Sequence, residues 1–214
     1  MTQCCPLCTS CTTALYHRDA RRDYHRCGRC ELVFVPAAYR IGPEQERAVY
    51  DQHQNSPDDP GYRRFLSRLF DPLLERLAPG AEGLDFGAGP GPTLSVMFEE
   101  AGHSMAIYDP FFAPDGSVLE RRYDFVTATE VVEHMFEPGR EFARLAALLR
   151  PGGWLGIMTK RAGTPEAFAH WHYILDPTHV SFFSEASFAW LAEHLDMRVT
   201  FPAADVAILH KTGG

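Results

Sequence analysis

The stretch GLDFGAGPGPTLSVMFEEAGHSMAIYDP, residues 83–110, decides how the chain folds. Leu84-Asp85-Phe86 makes a short buried strand, and Gly87, Ala88, Gly89, Pro90 and Gly91 form a tight turn after it. Residues 93–101 have the pattern of a helix, and residues 105–108 make a second strand that ends at Asp109. Strand, glycine-rich turn, helix and strand form a βαβ unit, in which a ligand can approach bare backbone at a helix N-terminus. Asp109, twenty residues after Gly89, is placed for ribose hydroxyls. The dinucleotide fingerprint G-x-G-x-x-G would need glycine at position 92, where Pro92 stands. Asp85 lies on the strand just before the turn. An acid there would repel a pyrophosphate but can hold the ammonium group of a cationic ligand.

The pattern Asp85-x-Gly87-x-Gly89-x-Gly91 resembles the first motif of class I S-adenosylmethionine-dependent methyltransferases. The resemblance continues over residues 80–195. Asp109 matches the family's acidic residue after the second strand, and YDFVTATEVVEHM (123–135) looks like its fourth-strand motif. LLRPGGWLGIMT (148–159) looks like the following turn and fifth strand, and DPTHVSFFSEASFAWLAEHL (176–195) is similar to the lead into the last helix. It implies an α/β fold over residues 81–214, a Rossmann-like class I methyltransferase sheet with helices on both faces. It also implies that Asp85, Gly87, Gly89 and Gly91 line the methionine end of S-adenosylmethionine, with Ala88 in the same turn. Asp109 would bind the ribose, Pro110 and Phe111 would flank the adenine, and Thr129 with Glu130 would close near the transferred methyl. Tyr50, His53 and Tyr62 could cover the pocket or meet the cofactor's carboxylate.

Two departures from the family are visible. Only thirteen residues separate Asp109 from Tyr123, and they include Pro110, Pro114 and Gly116, so the third strand is reduced or absent. Residues 160–180 form a longer insertion, rich in aromatics and histidines: Phe168, His170, Trp171, His172, Tyr173 and His179. Insertions after strand ends often carry substrate recognition, although such a segment can equally be a lid packed for stability.

Methyl transfer is a displacement, so alignment and exclusion of water do most of the work, and a base is needed only for a protonated nucleophile of high pKa. Candidate catalytic residues are Glu130, Glu133 and His134, together with His179. On a helix starting near Glu130, positions 130, 133 and 134 would share one face and could hold a second divalent metal, with His170, His172 or His179 adding a ligand. Glu-x-x-Glu-His resembles the arrangement in small-RNA 2′-O-methyltransferases and ubiquinone-pathway O-methyltransferases, where it can bind metal. The alternatives are His134 as base or acceptor-positioning residue, and a helix N-terminal acidic pair favoured by the dipole.

All six cysteines lie in the first thirty residues. Cys5-x2-Cys8, an eighteen-residue gap and Cys27-x2-Cys30 have the paired spacing of a structural Zn2+ site, with four thiolates and no open position. Cys4 and Cys11 are surplus, and either could replace a ligand; a disulfide-bonded or redox-active head is the alternative. The segment ALYHRDARRDYHRC predicts a β-hairpin with its apolar positions inward, and ELVFVP continues as a strand. Residues 1–40 are thus a zinc-ribbon-like β head whose folding would lean on the metal. Residues 41–80 form a helical connector, with a helix over residues 63–78 ended by Pro79-Gly80. The head also resembles that of zinc-headed sugar C-methyltransferases, without their additional C-terminal region, and of some ribosomal RNA guanine methyltransferases.

Hydrophobic residues make up 45% of the 214-residue chain, and no run approaches the ~20 apolar residues of a spanning helix. The polar, cysteine-rich N-terminus is unlike a secretory signal, so a cytoplasmic protein is expected, without a membrane partner. Net charge is −8, yet residues 1–40 carry Arg18, Arg21, Arg22, Arg26, Arg29 and Arg40 against Asp19, Asp23 and Glu31. The acidic body repels nucleic acid, so any such contact must use the basic head. The expected activity is methylation of a small-molecule acceptor at oxygen, carbon or nitrogen. The alternatives are an RNA- or protein-directed methyltransferase docking through the head, and a non-catalytic S-adenosylmethionine- or zinc-binding protein. No feature of the sequence fixes an oligomeric state.

Overall fold

The computed structural model describes residues 3–52 and 55–212; His53, one of the expected pocket covers, lies outside them. The N-terminal part contains strands β1 (Thr13–Arg18), β2 (Asp23–Cys27) and β3 (Val33–Phe34), followed by helices α1 (Pro43–Tyr50) and α2 (Pro60–Leu74). The body continues with β4 (Glu82–Phe86), α3 (Thr93–Glu100), β5 (Ser104–Tyr108), β6 (Tyr123–Thr129), α4 (Pro138–Ala147) and β7 (Leu149–Met158). It closes with α5 (Pro165–Ala169), β8 (Ser181–Phe182), α6 (Glu185–His194), β9 (Met197–Ala203) and β10 (Val206–Lys211).

The main sheet has the order β5-β4-β6-β7-β10-β9. β4 pairs in parallel with β5 and β6, and β6 with β7, whereas β10 joins β7 and β9 antiparallel. Alternation along the strands divides the core between two faces. Val126 and Ala128 of β6 face the side covered by Phe142 and Leu145 of α4 and Phe188 and Leu191 of α6. Phe125 faces the opposite side, against Leu66, Leu69 and Leu73 of α2 and Leu94 and Phe98 of α3. Asp59 starts α2 by accepting from the Gly61 and Tyr62 amides. That helix ends at Leu74, a turn before Pro79-Gly80, because residues 75–77 fold into turns.

The strand expected to be reduced is absent among the described residues. Between Asp109 and Tyr123 there is one β-bridge, Asp109 to Ala113, and a 3-10 turn at Gly116–Glu120, so β5 borders the sheet.

In the head, β1 and β2 form the expected antiparallel hairpin and β3 extends it. A bulge between Leu15 and His17 turns Leu15 outward, half exposed, contrary to an all-inward apolar pattern. Tyr24 does face inward, edge-on to Phe168 and Phe182. The fourth strand of this small sheet is β8, contributed by the body and paired with β3. Cys4 and Cys11 are joined to each other by a disulfide, so neither substitutes in a knuckle.

Candidate active site

The turn after β4 positions the first group of residues. Gly87 and Gly89 adopt φ of +77° and +65°, a region open to glycine at little cost. A Cβ on Gly87 would lie 2.5 Å from Val131, and one on Gly91 would lie 2.1 Å from the Asn55 carbonyl oxygen, whereas one on Gly89 would meet open space. The turn is therefore packed from behind and bare toward the cavity.

Two acids frame it. Asp85 is buried, and its Oδ1 accepts from the Thr127 hydroxyl at 2.7 Å. Burial pushes its carboxyl up to about 6, against the opposing effect of the Thr127 hydroxyl. Asp109 ties two loops together: Oδ2 accepts from the Gly89 amide at 3.0 Å, and Oδ1 from the Phe111 and Phe112 amides at 2.8 and 3.0 Å.

At the end of β6 the chain departs from the expected helix. Glu130 has φ of +53°, which is strained for a non-glycine residue, and only a single 3-10 turn, Val132–His134, follows before α4. Glu130, Glu133 and His134 therefore do not share a helical face. The donors that come within 4.8 Å of one another are Glu133, His134 and His179 instead. Glu130 is outside that set. Its side chain is mostly buried, and burial, with Glu133 nearby, pushes its carboxyl well above the ordinary range.

Glu133 is fully buried behind the cavity wall. Its Oε1 accepts from the Tyr173 hydroxyl, while Oε2 has no hydrogen-bond partner among the described residues. Burial raises its pKa, and the bond from Tyr173 opposes the rise. His179 Nδ1 lies 2.8 Å from the Tyr173 carbonyl oxygen. A carbonyl can only accept, so Nδ1 carries the proton and Nε2 of the neutral ring keeps its lone pair. Burial lowers the His179 pKa, opposed by Asp176, whose Oδ2 lies 3.8 Å from Nε2. The His134 and His179 rings are 4.7 Å apart, and Tyr50 sits edge-on to His134 at 5.3 Å.

Asp85, Asp109, Glu130, His134 and His179 border one cavity of about 710 Å³, whereas Glu133 and Tyr173 lie behind its wall. Its wall includes Asp85, the turn at 87–91, residues 109–111, Thr129 and Glu130, all expected at a cofactor. Tyr50, Tyr62, His134 and His179 also border it, whereas His170 and His172 do not. Sequence reasoning missed Glu46, Asn55, Asp176 and Arg144 in this wall. Asp176 alone left a signal, since Asp-Pro-Thr-His places it three residues before His179. At the head, Cys5, Cys8, Cys27 and Cys30 are buried with their sulfurs within 4.8 Å of one another. Two pairs, Cys5–Cys30 and Cys8–Cys27, are 3.5 and 3.4 Å apart. Tetrahedral coordination with Zn–S bonds of about 2.3 Å sets neighbouring sulfurs at about 3.8 Å, so four thiolates here fit one ion. The Arg29 amide points to Cys27 Sγ at 3.3 Å.

A mixed sheet whose parallel strands carry a glycine turn after one, an acid after the next and a shared cavity at their ends defines the class I S-adenosylmethionine-dependent methyltransferase fold. Solved structures share it. A 1,6-didemethyltoxoflavin N1-methyltransferase from Burkholderia thailandensis, solved with its substrate and S-adenosylhomocysteine, is 20% identical with a TM-score of 0.50; the match covers 92% of this chain and 98% of that one. An O-methyltransferase family protein from the same organism is 16% identical with a TM-score of 0.54, over 79% and 63% of the two chains. Magnesium protoporphyrin IX methyltransferase from Synechocystis, with bound S-adenosylhomocysteine, is 14% identical with a TM-score of 0.53, over 79% and 93%. No curated protein sequence matches the chain significantly. Residues 60–200 match the methyltransferase domain family, and the chain belongs to that family, as an S-adenosylmethionine-dependent methyltransferase. Among the described residues, no helix is long and apolar enough to cross a membrane.

Proposed function

We propose that the protein methylates a small-molecule acceptor bound beside His134 and His179, with a structural zinc ion in the Cys5, Cys8, Cys27 and Cys30 cluster. The observation that carries this reading is that one cavity is bordered both by the glycine turn, Asp85 and Asp109 and by Glu130, His134 and His179. S-adenosylmethionine supplies an electrophilic methyl group on a sulfonium. Asp85 stands where it can receive the ammonium group, and the bare backbone at Gly89 lets the ligand lie close. Asp109 keeps one further lone pair on Oδ2 for a ribose hydroxyl while it holds the Phe111 loop. His179, with Nδ1 committed to the Tyr173 carbonyl, presents Nε2 to take the acceptor's proton as the new bond to carbon forms.

Charge pairing in the head favours a small molecule over nucleic acid. Arg18 is paired with Asp23, Arg21 with Asp19 and Arg26 with Glu31, and Arg22 is buried, which leaves Arg29 and Arg40 as the head arginines without a salt bridge among the described residues to meet phosphates. A second reading gives Glu133, His134 and His179 a divalent cation, which would acidify an acceptor hydroxyl. The partnerless Glu133 Oε2 supports it. Calorimetry with S-adenosylhomocysteine, then a screen of amine, phenol and carbon acceptors for uptake of labelled methyl, tests the assignment. Absence of binding, or binding unaffected by Asp109→Ala, would sink it, and more than one metal equivalent per chain would favour the second reading.

A further inference from the structure

His179 and Asp176 reach the cavity on residues 172–180, and this segment is fastened to the head on both sides of His179. Upstream the fastening centres on one buried arginine. Arg22, 5% exposed, lies just before β2. Its Nη2 donates to the carbonyls of Ile174 and Asp176 at 2.9 and 2.8 Å, and Nη1 donates to that of Pro177 at 3.1 Å. Its Nε donates to the Tyr24 hydroxyl at 2.9 Å. Arg21 adds bonds to the carbonyls of Leu175 and Ile174. Asp19 stiffens the hairpin tip by accepting from the amides of both arginines. Downstream, the Val35 amide donates to the Val180 carbonyl at 2.9 Å, and β3 pairs with β8.

Burying a guanidinium is costly unless its donors are satisfied, and here three converging carbonyls satisfy a planar fork that a lysine ammonium could fill only in part. The same strand connects this clamp to the thiolate cluster. β2 begins at Asp23, next to Arg22, and ends at Cys27. Among the described residues, no comparable bond runs from Arg22 to the turns after β4 and β5.

We propose that Arg22 is a positioning residue for His179, so that the folded, metal-bound head sets the acceptor side of the cavity and leaves the cofactor side alone. This rests on reading the cavity as the site of methyl transfer. The test compares zinc-loaded wild type, Arg22→Met and Arg22→Lys. Three quantities are measured: S-adenosylhomocysteine affinity by calorimetry, amide hydrogen exchange over residues 172–182, and the imidazole resonance of His179. Arg22→Met is expected to speed exchange in that segment at least roughly tenfold and to shift the His179 resonance, with affinity within about twofold of wild type. Arg22→Lys should restore both in part. Unchanged exchange and resonance in Arg22→Met would overturn the proposal, as would an affinity loss that parallels the exchange, since that marks general unfolding. Should Arg22→Met not fold, the proposal stands or falls on Arg22→Lys, which must show faster exchange at 172–182 than wild type. Failure of wild type to bind S-adenosylhomocysteine would refute the proposed cofactor site and not the clamp.

Discussion

Asp85→Asn is expected to make the unliganded protein more stable and a poorer binder. In the folded chain, burial pushes the Asp85 carboxyl from an ordinary 3.8 up to about 6. Between those values the native state keeps a proton that the unfolded chain has released, so native stability falls as pH rises from about 4 to about 6 and then levels off. At pH 8 the full gap applies, about 3 kcal/mol at 1.36 kcal/mol per pH unit. Asparagine is neutral in both states and can still accept the Thr127 hydroxyl, so the substitution removes this cost and keeps the bond. Glu130 and Glu133 also have raised pKa values, but they are present in both proteins and largely cancel in the difference. Urea denaturation at pH 4, 6 and 8 should show the two proteins equal at pH 4 and the variant ahead by about 3 kcal/mol at pH 8. For a chain of this size that is a rise in Tm of about 6–12 °C. Affinity for S-adenosylhomocysteine should fall, because the carboxylate we propose as the partner of the ligand's ammonium group is gone. A gain independent of pH, or a variant less stable at pH 8, would refute the account of Asp85 as a carboxylate held at a cost for a cation.

Tyr173→Phe leaves the buried Glu133 without its hydroxyl donor and should cost about 1–3 kcal/mol in denaturant unfolding; equal stability would mean that the bond contributes nothing. Gly91→Ala would drive a Cβ against the Asn55 carbonyl, so the turn must shift and S-adenosylhomocysteine affinity should fall at least about tenfold by calorimetry. Cys27→Ser should reduce metal content from about one zinc per chain to a small fraction by elemental analysis, and an unchanged content would remove the cluster as the metal site.

The cofactor half of the molecule was legible because its signals are local. The glycine turn, the acids at 85 and 109 and the short gap before Tyr123 all follow from residues near one another in sequence, and the βαβ unit assembles from them directly. The half proposed for the acceptor depends on distant pairings. His134 and His179 are brought together by a 3-10 turn and an insertion, and no periodicity relates them. The Glu-x-x-Glu-His spacing suggested a helix, but the left-handed Glu130 broke it, a backbone choice that tertiary packing imposes against local preference. In the head, hairpin and knuckles were visible, while the charge pairing was not. Arg18, Arg21 and Arg26 each face an acid two to five residues away; the register of β1 and β2 and the hairpin tip bring the first two pairs together, and the turn after Cys27 brings Glu31 back to Arg26.

The two-residue strand β8 ties the head to a segment synthesised about 150 residues later. Val33 pairs with Phe182, so the four-stranded sheet of the head waits for about 150 further residues. At roughly 5–20 residues per second the wait is on the order of 10–30 s. Over that interval β3 leaves one edge unpaired, with Val33, Phe34 and the adjacent Val35 all destined for burial. The hairpin and the thiolate knuckles can close at once, since their partners are local, but the surface that will receive β8 stays open to other strands. A nascent-chain preparation stalled before residue 181 should therefore bind metal while remaining far more prone to aggregate than the completed chain.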